Sequence, residues 1–399
     1  MSKPYRSLKI APHDMGRTFI FAAVFAVTLT ACTMGERQLA PEQLAESELI
    51  NLEVASRTSI DPQIQLLVGA ALAKGIVAYD PVDAVAVVVE VDTGKIRAIV
   101  NGPNFEQPTN LRDPNQLEKE IARTGAVHFP MGSLMTPLLV ARAVETGRVR
   151  PDTQLDTHGT LIVGSTEITD AHPEKYMSTS DIVVKSSNVG SAKIALMLPL
   201  EDLSQSLGFD PLLKISGSNT TVSSDPIDWK SWSAPMLVLP GMYLKANLLQ
   251  AVAAYMPIAN GGLKRPLTIQ ESSQELIPAT RIFSPGTAAD IREILVRATS
   301  TEGTAPKAMV PGIRVAGKTS TNSSMLTYQK SESGEVTATS LQSAAFVGMA
   351  PADHPRWLVG VVFRFQKDAP LAYGGDTAAP VFAQIVKGLL NKDARPQEK

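Results

Sequence analysis

Apolar residues recur along the chain with two different periods, and the alternation between them lays out the fold. Ile64, Leu67, Val68, Ala71 and Leu72 follow one another at i, i+3, i+4, i+7 and i+8, which is one buried stripe of a helix. Asp61 suits its N-cap and Pro62 its first position. Gly75 is expected to end it. The next segments, 84–91 and 95–100, are β-rich and flank Asp92-Thr93-Gly94, so they predict an antiparallel hairpin. Near the far end, 313–318, 342–349 and 357–365 predict three further strands, followed by an apolar helix over 378–390. The roughly 200 residues in between are expected to be mostly helical, with Pro and Gly breaks. Strands at both ends with helices between them predict an antiparallel sheet covered by helices. The helical insertion then forms a second lobe, with a cleft where the two meet.

The first 57 residues follow neither period. Lys3, Arg6, Lys9 and Arg17 precede an uncharged run from Thr18 to Thr30. Its 13 residues fall short of the roughly 20 needed to cross a bilayer. A basic segment followed by a short apolar one is the pattern of a secretory signal. Residues 33–57 carry five glutamates and little apolar periodicity. They are expected to be a tether reaching roughly 80–90 Å when extended, with a short helix over 43–52 as the alternative.

Composition narrows the function classes. The chain has 37 basic and 39 acidic residues among 399, a net charge of -2, and no basic run longer than two, which argues against nucleic acid as the main partner. Removing 1–31, with its four basic residues and one acidic residue, takes the net charge to -5. Five scattered histidines and a single cysteine supply no metal cluster and no disulfide framework. That single cysteine, Cys32, closes the stretch Leu29-Thr30-Ala31-Cys32.

Three short segments carry the candidate chemistry. Gly132-Ser133-Leu134-Met135-Thr136 opens an apolar helix-like run, and exposed N–H groups at a helix start stabilise a developing negative charge beside a serine. Taken alone it is equally an ordinary helix start. Lys185-Ser186-Ser187-Asn188 brings together a hydroxyl and an amide able to relay a proton and hold a carbonyl, or else it is a capped turn. Lys318-Thr319-Ser320-Thr321 ends a β-run in an amine and hydroxyls, or is a solvated strand end.

In this order the three segments resemble the Ser-x-x-Lys, Ser-x-Asn and Lys-Thr-Gly motifs of penicillin-binding proteins and serine β-lactamases. The chain resembles the transpeptidase domain of class B penicillin-binding proteins. AVVVEVDTGKIRAIV, KSSNVGSAKIAL, LLQAVAAYMPIANGG, AAFVGMAPADHPRW and YGGDTAAPVF extend the likeness over roughly residues 58–392. The resemblance implies an α/β (α+β) fold of the penicillin-recognising type: an antiparallel sheet flanked by helices, with a helical lobe. It implies binding of stem peptides ending in D-Ala-D-Ala, and of β-lactams, with no metal or organic cofactor. By this likeness Ser133 is the nucleophile and Gly132 belongs to its turn. Ser186 and Asn188 relay protons and position substrate, and Ser187 between them is a substrate-binding residue. Lys318, Thr319 and Thr321 bind the substrate, and the N–H groups of Ser133 and Ser320 form the oxyanion hole.

The segment ending at Cys32 resembles the lipobox of bacterial lipoproteins. It implies a lipid anchor in place of the family's transmembrane helix, with no counterpart of the N-terminal pedestal module. The expected organisation is a signal peptide over 1–31, a lipidated Cys32 and tether over 32–57, the transpeptidase-like domain over 58–392 and a polar tail over 393–399. The expected location is the cell envelope, facing the periplasm, with division or elongation proteins as partners. Thr33 hints at the outer membrane rather than the inner.

Two motif positions depart from the family, and Pro130-Met131-Gly132 stands where the family usually has Glu-Pro-Gly. Thr136 stands where the motif has its lysine, one helical turn beyond Ser133. A hydroxyl accepts a hydrogen bond but stores no proton near neutral pH, and loss of a general base costs about 10²–10⁴ in rate. Ser320 stands where the motif has glycine, and its side chain is expected to narrow the cleft where substrate backbone meets the strand edge. Two readings follow: a non-catalytic homologue that keeps the groove, or an enzyme acylated at Ser133 with Lys318 or Lys185 as substitute base. A decaying gene copy is the third.

Overall fold

The computed structural model describes residues 58–103, 113–198, 209–224, 244–271, 278–330 and 336–394. The expected signal segment, Cys32, the tether and most of the polar tail lie outside them.

Five strands form one antiparallel sheet: β1 (Asp83–Glu90), β2 (Ile96–Gly102), β3 (Ala316–Lys330), β4 (Val336–Ala350) and β5 (Trp357–Gln366). Their spatial order is β3-β4-β5-β1-β2, so the N-terminal hairpin completes a sheet whose other three strands lie more than 200 residues later. This places β3 at an edge. β1 shows why the sheet sits at the centre. All six residues from Ala84 to Val89 are fully buried. Ala84, Ala86 and Val88 pack into one core, and Val85, Val87 and Val89 into the other. A strand covered on both faces has no polar alternation, and each buried valine contributes roughly 1.5–3 kcal/mol.

One face is covered by α1 (Pro62–Tyr79) and α8 (Ala378–Asp393), the first and last helices described. Asp61 caps α1 by accepting from the N–H groups of Gln63 and Ile64. It also accepts from the Lys392 ammonium near the end of α8. The opposite face is covered by the helical lobe. Among the described residues its helices are α2 (Pro114–Ala126), α3 (Met135–Glu145), α4 (Thr179–Val184), α5 (Asn188–Leu196), α6 (Leu248–Ala259) and α7 (Pro285–Ala298). Every residue of α6 is buried, which makes it the centre of that lobe.

The architecture agrees with the expected sheet and lobe, with three local corrections. The described residues in the middle of the chain are less helical than expected. Among them, five two-stranded ribbons interleave with the helices, including 129–130 with 245–246 and 161–163 with 166–168. β3 starts later and runs far longer than 313–318, because the hydroxyl-rich stretch after Lys318 continues as strand. The first helix does not stop at Gly75. It continues to Tyr79 and closes at Asp80, whose φ of 48° is left-handed and whose N–H donates to the Ile76 carbonyl. Gly75 is a packing glycine: a Cβ there would lie 2.8 Å from Phe363 and 2.9 Å from Val381.

Gly75→Ala therefore sets two effects against each other. Alanine gains up to about 1 kcal/mol of helix propensity, and overpacking costs about 1–3 kcal/mol. Both contacted side chains are buried in the core, so net destabilisation of about 1 kcal/mol is expected in urea denaturation. A more stable variant would refute the packing role.

Candidate active site

The Ser133 segment is held at both ends. Phe129–Pro130 pairs with Lys245–Ala246, and the Met131 N–H donates to the Leu244 carbonyl at 2.9 Å. Gly132 then turns with a φ of +51°, and a Cβ there would lie 2.3 Å from Ser320 Oγ. Both facts demand glycine. Ser133 sits half-buried in a single 3₁₀ turn, Gly132–Leu134, that leads into α3. On its far side the Tyr255 hydroxyl donates to the Leu134 carbonyl at 2.8 Å. Tyr255 belongs to α6 and is fully buried, which pushes its phenol well above the ordinary range and keeps it a donor.

Thr136 lies on the first turn of α3, buried, with its hydroxyl 3.0 Å from Ser191 Oγ. Ser191 itself donates to the Ser187 carbonyl at 2.6 Å. A carbonyl only accepts, so Ser191 spends its proton there and Thr136 must donate to Ser191. The chain of hydrogen bonds from Thr136 therefore runs away from Ser133 and ends on an oxygen that takes no proton at neutral pH.

The second segment follows α4. Ser186 adopts a left-handed φ of 60°, unusual for a residue with a side chain. Its hydroxyl accepts from the Lys318 amine at 3.0 Å, across 132 residues of sequence. Ser187 is not available to a ligand. It is buried, caps α5 by accepting from the Gly190 N–H at 2.9 Å, and donates to Asp170 at 2.6 Å. Asp170 also accepts from the Val189 N–H, so one carboxylate holds the whole loop. Asn188 is exposed, and its amide donates to the Thr169 carbonyl at 2.9 Å. Lys185 is exposed and ion-paired to Glu174 at 2.6 Å. Its amine is thus bonded to Glu174 and not to Ser133.

The third segment lies on edge strand β3. Alternation puts Lys318, Ser320 and Asn322 on the face towards Ser186 and Gly132. Thr319 and Thr321 take the other face, where their hydroxyls meet Thr304 Oγ1 at 2.8 Å and the Gly374 N–H at 3.0 Å. Ser320, expected to narrow the cleft, has its side chain turned inward against the Ser133 turn. It is 1% exposed, and its hydroxyl lies against Gly132 and accepts from the Asn322 amide at 3.2 Å. Lys318 is fully buried, bonded to Ser186 and at 3.3 Å to the Thr319 carbonyl. No carboxylate among the described residues pairs with it. Burial pushes its ammonium down to about 7, so near neutral pH a large fraction is the free amine.

The fold thus brings Gly132, Ser133, Thr136, Ser186, Lys318 and Ser320 to one place and leaves Lys185 and the hydroxyls of Thr319 and Thr321 on other business. Sequence reading missed Ser191, Asp170, Tyr255 and Asn322. Ser191, four residues beyond Ser187 on a helix, was within reach of spacing. The partners of the other three lie in distant segments.

Known proteins resemble the chain in sequence and in fold. The sequence profile of the penicillin binding protein transpeptidase domain matches residues 84–387. A probable peptidoglycan D,D-transpeptidase PenA of Neisseria flavescens is 32% identical over 347 residues, covering 84% of this chain and 81% of that one. Peptidoglycan D,D-transpeptidase FtsI of Escherichia coli is 29% identical over 339 residues, covering 83% of this chain and 55% of its own. The chain therefore spans little more than half the length of some of these relatives. Among solved structures, the transpeptidase domain of Burkholderia pseudomallei penicillin-binding protein 3 superimposes with a TM-score of 0.70. It is 29% identical and covers 86% of this chain and 98% of that domain.

Proposed function

The chain belongs to the penicillin binding protein transpeptidase family, and from that membership we propose that its cleft binds peptidoglycan stem peptides ending in D-Ala-D-Ala, and β-lactams that mimic them, with transpeptidation slowed or absent. One observation carries this reading. Where the family resemblance puts an amine one turn beyond the nucleophile, Thr136 donates its hydroxyl proton into a chain that ends on the Ser187 carbonyl. No proton acceptor stands there to activate Ser133. Recognition needs the shape of the groove, its turn and its strand edge, and those elements remain.

The envelope location belongs to the same proposal. The basic-then-apolar leader and Cys32 favour export and a lipid anchor facing the periplasm. Division or elongation proteins are the partners that fit a family member so placed.

A second reading, turnover at Ser133, is favoured by Lys318. A buried amine near pH 7, touching Ser186, is able to take up a proton passed through that hydroxyl. Its burial suits relay through Ser186 better than direct contact with a substrate carboxylate.

Labelling the exported portion of the chain with a fluorescent penicillin, with Ser133→Ala as blank, separates the two readings. Little or no covalent label in the natural sequence is the expected result. Rapid labelling that disappears in Ser133→Ala, with a rate rising through pH 7, would replace the first reading with the second.

A further inference from the structure

The turn bearing Ser133 rests directly on two side chains of β3, and one of them reaches past it. Asn322 Nδ2 lies 3.0 Å from the Pro130 carbonyl, 3.2 Å from Ser320 Oγ and 3.2 Å from Ser343 Oγ. Its two hydrogens are thus shared among three acceptors, and the donor side of the amide is saturated. Ser343 is the cross-strand neighbour of Asn322 on β4 and is 1% exposed, so the amide is anchored in the sheet. Immediately after this pair the register of β3 on β4 shifts before it resumes at Met325 and Leu341. Such bulges re-aim a side chain.

We propose that Asn322 is a positioning residue that sets the gap between the Ser133 turn and the edge of β3, acting through the carbonyl of Pro130. Pro130 has no N–H, so its carbonyl is its only main-chain hydrogen-bonding group. Three residues later comes Ser133. Between them Gly132 lies so close to the strand that a Cβ would be 2.3 Å from Ser320 Oγ and 3.0–3.1 Å from the Asn322 amide atoms. With no layer between turn and strand, a shift of the amide passes straight to the main chain of Ser133. Tyr255 holds the Leu134 carbonyl from the other side. Ser133 is therefore bracketed by one anchor from the sheet and one from α6, and only the sheet anchor fixes its distance from β3. Ser320 fits the same device: the hydroxyl that replaces the motif's glycine is the acceptor that completes the amide's bonding.

The inference rests on the groove reading above, so its test has one arm that needs no ligand. In the full chain carrying Ser133→Ala, hydrogen exchange is followed by mass spectrometry in peptides covering 129–136 and 248–259. Asn322→Ala is expected to speed exchange in the first and leave the second unchanged. Equal rates in 129–136 overturn the proposal whether or not any ligand binds. The second arm measures non-covalent affinity for a fluorescent penicillin by anisotropy. Asn322→Ala is expected to weaken it about 3–10-fold, the scale of one hydrogen bond. Asn322→Asp keeps the shape but presents a carboxylate to the Pro130 carbonyl. It should bind weakly at pH 8 and recover at pH 4, where the carboxyl, its neutral form favoured by the facing carbonyl, is protonated and donates again. The charged groups around this face are Lys318 on β3, the Arg364–Asp83 pair in line with Ser343 across the sheet, and His128, which precedes the turn, so each variant is compared with its parent at the same pH. Unchanged affinity in Asn322→Ala, or an Asn322→Asp deficit equal at both pH values, overturns the proposal. A parent that binds no penicillin counts against the groove reading alone, and exchange then decides on Asn322.

Discussion

Thr136→Lys is expected to raise the rate of Ser133 acylation by a fluorescent penicillin by about 10²–10⁴-fold, the span a positioned general base contributes. Position 136 is on the first turn of α3, one helical turn from Ser133, so an amine there arrives from the same helix face as the nucleophile. Its environment suits a lysine in one respect. Lys318 already titrates near 7 in the same cleft, and a second cation beside a first is pushed towards its neutral, basic form. Space is the opposing term. Thr136 is 4% exposed, so a longer side chain displaces a neighbour, and Ser191→Ala combined with Thr136→Lys relieves that crowding. A folded double variant that labels no faster than the natural sequence would show that the missing amine does not limit the chemistry.

Lys318 governs the second large effect, on stability. Its folded value, about 7, lies below the ordinary lysine value of 10.5. Between these two the unfolded chain binds the proton and the folded chain does not, so stability rises with pH across that window at up to about 1.4 kcal/mol per unit. Below pH 7 both states are protonated, the slope vanishes, and the full cost of a buried ammonium is borne. Lys318→Met removes the charge and keeps most of the volume. The variant is expected to gain about 3–5 kcal/mol over the parent at pH 6 and to converge on it near pH 10 in urea denaturation. Parallel curves across that range would refute a depressed Lys318.

Much of the frame was legible because it rests on local rules. Asp61 with Pro62 marked a helix start, and Asp92-Thr93-Gly94 between valine-rich runs marked a hairpin; the structure has both. Gly75 misled, because a glycine that ends a helix and one that admits a neighbouring helix look the same in sequence. The polar run after Lys318 concealed most of β3, since an edge strand bonded through hydroxyls and amides has no apolar alternation to display. At the site, residue types announced Ser133, Ser186 and Lys318 in order. Their partners did not announce themselves. The contacts of Tyr255 with Leu134 and of Asn322 with Pro130 span 121 and 192 residues, and no spacing rule reaches so far. The direction of the Thr136 hydrogen bond was equally hidden, because it follows from what Ser191 does with its own proton.

The contact between Asp61 and Lys392 makes the described domain close to a ring. Its first and last helices lie together on the face of the sheet opposite the helical lobe, so a short peptide joining Ala394 to Thr58 would disturb little. New ends could then be opened at the exposed hairpin tip Gly164–Ser165. A circular permutant of this kind keeps every contact around Ser133 while reversing which segments are made first. In it the late strands β3, β4 and β5 would emerge ahead of the β1–β2 hairpin, which in the natural chain is made first and waits for them.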